Sequence, residues 1–182
     1  FQAMRKKRLV FFLMAVFFSL IFTRGQNLVP AAKVDGETLT LANFFKDRDG
    51  LVRFRNLNKE KVSDPELDEV VINSFIENAL IKKELSRRGI GEAEVEKYVS
   101  GSLGPGDEAN LSAATEKIYA WSVEDFKRFI LYPQARQLML VREFSREKID
   151  GASWLENAKK EAKISIYLPR WKWEEGEFRR RY

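Results

Sequence analysis

The hydrophobic pattern of this chain changes character once, near residue 24. Before that point Leu9 to Phe22 reads LVFFLMAVFFSLIF, broken only by Ser19. Arg5, Lys6, Lys7 and Arg8 precede this run and Arg24 follows it. Fourteen helical residues span about 21 Å, less than the ~30 Å hydrocarbon core of a bilayer. Basic side chains at both ends can snorkel to headgroups. The pattern predicts an uncleaved signal-anchor helix over 4–24, with cleavage near Val29-Pro30-Ala31 as the alternative. A core helix would have to bury apolar side chains on every face beside four cations, which a domain of this size rarely does. The basic cluster stays on the cytoplasmic side, so everything after Arg24 is expected outside. Phe1-Gln2-Ala3 is read as a cloning scar or fragment boundary ahead of Met4.

The pattern after residue 24 is that of a small folded domain. Residues 25–32 read as a linker. Lys33 to Thr40, KVDGETLT, places the turn pair Asp35-Gly36 between two short extended pieces, which predicts a tight hairpin or a strand with a turn. Thr40 caps a helix, and Gly50 weakens or splits it. The clearest helix starts with Asp64 as N-cap and Pro65 at its first position, and ends at Gly89. Leu67, Val70, Val71, Phe75, Ile76, Ala79 and Leu80 recur along it at helical spacing. A short helix covers Glu92 to Val99. Gly101 to Gly106 is a break, without the lysine or spacing of a phosphate loop. Asp107 to Ala120 is helical, with Leu111, Ala114, Ile118 and Tyr119 inward. Ser122 and Asp125 start the next helix as a capping box. Pro133 kinks or restarts that helix, and Gly151 ends it. Ser153 and Glu156 cap the following one. Ile164 to Leu168 alternates as a strand stopped by Pro169. A lone strand leaves backbone groups unpaired, so 33–40 and 164–168 are expected to pair. Residues 169–182 read as a basic, aromatic, solvated tail.

Composition narrows the chemistry. The net charge of +5 is misleading, because four of the 32 basic residues lie in the leading cluster and the other 28 face 27 acidic ones. That balance argues against a nucleic-acid partner. The chain has no cysteine and no histidine, which excludes disulfides, a lipid-modified cysteine, Ser-His-Asp and Cys-His catalysis, and histidine metal sites. The carboxylates at Asp64, Glu66, Asp68 and Glu69 have the spacing of an acidic helix start rather than of a catalytic pair. No catalytic residue, metal ligand or cofactor is assigned.

The order of elements resembles the extracytoplasmic chaperones of the SurA, PpiD and PrsA type. Val34-Asp35-Gly36-Glu37-Thr38-Leu39-Thr40 looks like their opening strand. Phe75 to Ile90, FIENALIKKELSRRGI, resembles the helix that follows. Glu92-Ala93-Glu94-Val95-Glu96 resembles their short acidic helix, and Trp154 to Tyr167 their closing helix and strand. The resemblance covers about residues 33 to 168. It implies a mainly α fold: a membrane helix, then a helical domain like the SurA N-terminal domain, closed by a two- or three-stranded sheet of its N- and C-terminal segments. It also implies a bacterial cytoplasmic-membrane protein with its main domain extracytoplasmic, or a secreted or periplasmic one if the signal is cleaved. Most such proteins carry a parvulin prolyl-isomerase domain, for which this chain has no room. The expected function is therefore non-catalytic holding of unfolded or nascent secreted polypeptides. Phe44, Phe45, Trp121, Phe126, Phe129, Tyr132 and Trp154 are the candidate polypeptide-binding residues, with ordinary core packing the plain alternative for each. The other expected role is a scaffold for an envelope or secretion partner. It would dock through Trp171-Lys172-Trp173 and Arg179-Arg180-Arg181, a strip also suited to lipid headgroups.

Overall fold

A computed structural model of the chain describes residues 28–60, 63–104 and 106–181. The expected anchor over 4–24 lies outside them. Among the described residues no helix is long and apolar enough to cross a membrane.

The fold is mainly helical with two small antiparallel sheets. Strands β1 (Pro30–Val34) and β2 (Glu37–Thr40) form the expected hairpin. Its turn needs two left-handed residues, and Asp35 and Gly36 supply them at φ 47° and 99°, as the mirror-image turns of hairpins require. On the other side of β1 lies β3 (Ile164–Ile166), with Lys33 opposite Ser165. The segments on either side of the helical body therefore pair as expected. Asp35 pins the junction: its carboxylate accepts from the Lys163 backbone N–H at 2.9 Å and from Lys83 at 2.7 Å.

Helix α1 (Leu41–Leu57) starts at Thr40, whose hydroxyl accepts from the Asn43 N–H. It runs unbroken through Gly50, contrary to the expected split. Gly50 is buried under the Trp121 ring, and a Cβ there would stand 2.0 Å from Trp121 Cζ2. Helix α2 (Asp64–Arg87) is capped by Ser63, one residue earlier than expected. Its acidic start does more than meet solvent, because Asp64 and Asp68 both hold Arg48 of α1. The helix ends in a Schellman arrangement, with Ile90 N–H bonded to Leu85 C=O and Gly89 N–H to Ser86 C=O. Val71, Ile72, Ile76, Ala79 and Leu80 on α2 pack with Ala31, Ala32, Val34, Phe44 and Ile166 to form the main core.

Helices α3 (Glu92–Ser102) and α4 (Asp107–Tyr119) follow. On α4 the inward residue is Thr115, while Ala114 points to solvent. The Ser122–Asp125 capping box opens α5 (Val123–Phe126). A π-helical turn over Lys127–Leu131 leads into α6 (Tyr132–Glu147). The wide turn sits just ahead of Pro133, whose missing N–H cannot bond the preceding turn. Helix α6 ends at Lys148 in left-handed conformation, short of Gly151. Asp150, not Ser153, caps α7 (Gly151–Glu161), accepting from the N–H groups of Ala152 and Ser153.

The expected solvated tail is instead a second hairpin, β4 (Trp171–Glu174) and β5 (Glu177–Arg180). Trp171 stacks on Phe178 at 4.3 Å, and both are buried in the main core. The Trp171 indole N–H donates to Asp68. The domain therefore extends from Pro30 to Arg180 rather than ending at residue 168.

Candidate polypeptide-binding groove

A groove of about 370 Å³ opens between β2, α2 and the start of α6. Strand β2 supplies its rim with Glu37, Thr38 and Leu39, and among the described residues it pairs on one side only, as the outer strand of its sheet. Helix α2 supplies Phe75, Asn78, Ala79 and Lys82. The π turn contributes Arg128, Phe129 and Ile130, and α6 contributes Tyr132, Pro133, Arg136 and Gln137. Asp47 of α1 completes the lining. An adjoining apolar cleft of about 190 Å³ lies on the other side of α6, between Tyr98, Val99, Leu131, Ala135 and Leu138. Leu138 is 57% exposed.

Four charged side chains in the groove are already engaged. Lys82 donates to Glu37 at 2.7 Å. Arg136 is buried and donates to Asn78 and to Glu92, while its Nε finds no partner among the described residues. Its guanidinium also lies over the Tyr132 ring. Arg128 rests over Phe129 at 5.6 Å from the ring centroid. Asp47 differs from all of these. No hydrogen bond or ion pair to another described residue reaches it, and burial pushes its carboxyl up to about 7. Its neighbours Lys46 and Arg48 are held by Asp125 and by Asp64 with Asp68.

The structure divides the seven aromatic candidates. Phe129 and Tyr132 line the groove. Phe44 lies in the core, with 45%-exposed Phe45 edge-on to it outside. Trp121 is buried, its N–H donating to the Lys46 carbonyl. It links an aromatic row: Phe54 stacks on Tyr119, Tyr119 on Trp121, and Trp121 leans on Phe129. Phe126 packs beside this row against Tyr119. Trp154 sits elsewhere, edge-on to Phe144 and packed on the core. The suggested C-terminal docking strip is altered by folding. Trp171 is internal, and Arg179 is matched by Glu174, Glu175 and Glu177.

Phe75, Asp47, Arg128 and Arg136 are groove residues outside the candidate set. Phe75 carries the same spacing as the core face of α2. Asp47 did leave a trace: it follows buried Phe44 by three residues and precedes core-packed Leu51 by four, so it falls on the inward stripe of α1. Among the described residues no group of acidic side chains is placed to hold a metal. No family model, curated protein or solved structure matches the chain.

Proposed function

We propose that this chain is a membrane-anchored, extracytoplasmic holdase for unfolded or emerging polypeptides, similar to the SurA, PpiD and PrsA type and without prolyl isomerase activity. The observation that carries the reading is the open groove with Phe75, Phe129 and Tyr132 on its walls and the unpaired edge of β2 along its rim. An extended segment could hydrogen-bond to a sheet edge and set alternate side chains into the depression. The cleft on the other side of α6 adds a second apolar surface. The pairing of β1 with β3 is the closure that the resemblance leads one to expect. The anchor would hold this surface near the membrane, where translocated chains emerge.

The test is suppression of aggregation. The protein, added at equimolar ratio to a chemically denatured client on dilution, is expected to delay light scattering. Phe129→Ser combined with Leu138→Ser is expected to weaken that effect while leaving the circular dichroism unchanged. No delay by the parent protein refutes the reading.

A further inference from the structure

Asp47 is the one charged group in the groove that nothing in the described structure accounts for. A carboxylate withdrawn from water needs a partner, or it costs stability. Glu37 is matched to Lys82, Arg136 to Glu92, and Arg128 lies on Phe129. Asp47 shares the lining with three aromatic side chains, Phe75, Phe129 and Tyr132. Aromatic faces attract cations, most strongly where water is partly excluded. Arg128 over Phe129 shows that a guanidinium fits against a ring in this groove. A carboxylate among aromatic walls is a receptor for an ammonium or guanidinium group on an apolar stem.

We infer that the groove contains a subsite for a lysine or arginine side chain of the bound polypeptide, with Asp47 as counter-ion and the aromatic walls around the aliphatic stem. This rests on the groove being the polypeptide site. It adds a client preference: extended apolar segments carrying an isolated basic residue, in place of purely apolar ones.

The subsite has a recognisable pH signature. The charged and titratable groups lining the groove with Asp47 are Glu37, Lys82, Arg128, Tyr132 and Arg136. The chain has neither histidine nor cysteine. Burial pushes the Asp47 carboxyl up to about 7, so the charge of the subsite changes around neutrality. Cation binding strengthens as that carboxyl ionises.

The experiment uses two end-capped fluorescent heptapeptides of alternating leucine and serine, one with a central lysine and one with norleucine. Anisotropy is measured with the parent protein and with Asp47→Asn. The lysine peptide is expected to bind the parent about tenfold more tightly than its twin at about pH 8, the scale of one charged hydrogen bond. The preference should shrink to about twofold near pH 6, where the carboxyl is mostly protonated. Asp47→Asn should bind both peptides equally at either pH. Equal binding of the two peptides by the parent overturns the subsite and leaves the groove standing, as does a preference that survives in Asp47→Asn. Failure of both peptides to bind overturns the groove reading and the subsite with it.

Discussion

Replacing Asp47 by asparagine should stabilise the protein, and the gain should depend on pH. In the folded state burial pushes this carboxyl from 3.8 to about 7. The unfolded chain releases its proton near 3.8, so between these values the folded state holds the proton more tightly. The stability contributed by the neutral carboxyl is complete below 3.8 and is lost as pH rises through about 7. At 1.36 kcal/mol per pKa unit, the loss above neutrality comes to about 4 kcal/mol. Asp47 is half-buried, with its carboxyl on the wall of the open groove. Screening through the open side, weighted by area, lowers the expected cost to about 2 kcal/mol. Asparagine keeps the shape and removes the charge. Urea unfolding should therefore show Asp47→Asn level with the parent near pH 4 and about 2 kcal/mol more stable near pH 8. Parallel stability curves for the two proteins, within about 0.5 kcal/mol across that range, would refute the reasoning.

Two further changes test the packing. Gly50→Ala puts a methyl group 2.0 Å from Trp121 Cζ2, forcing the ring out and breaking its hydrogen bond to the Lys46 carbonyl. The expected cost is about 3 kcal/mol despite the better helix propensity of alanine. It should show as a lower urea midpoint with red-shifted tryptophan emission, and an unchanged midpoint would argue that α1 and the α4–α5 corner do not meet through this ring. Glu84 is buried and accepts from Arg87 and Arg88, and Arg88 reaches on to Glu147. The Arg87 hydrogen bond leads the causes that hold its carboxyl below the usual 4.5. Glu84→Gln should cost about 2 kcal/mol at neutral pH. The deficit should disappear as pH falls below 4.5 through the lowered folded value, because the parent then loses the same charge. A deficit that persists in acid would mean that packing, not charge, holds this junction.

The parts of the fold that were legible in the sequence are those held by neighbours in the chain. Pro65, the apolar spacing from Leu67 to Leu80 and Gly89 located α2 to within a residue, because caps and helical spacing act over a few positions. Asp35-Gly36 located the first turn for the same reason. The β1–β3 pairing could be expected because the lone strand over 164–168 had no other partner. The C-terminal hairpin is visible only as the alternation of WKWE and EFRR around a glycine turn, and the charged residues among them give the same segment the pattern of a solvated tail. Gly50 carries the local signature of a helix breaker, whereas its role is set by Trp121, 71 positions away.

The candidate groove belongs to the second kind of information. The sequence by itself determined the local elements, the absence of histidine and cysteine chemistry and the supply of large aromatic side chains. It could not sort those aromatics, because burial depends on what lies across the fold and not on residue type. Tertiary structure put Phe44 and Trp121 inside, left Phe129 and Tyr132 on the groove wall, and turned Asp47 into the groove beside them. The physical reason is range. Caps and turns are closed by hydrogen bonds between near neighbours, whereas the groove brings Glu37, Phe75 and Phe129 together only once α2 and α6 have packed.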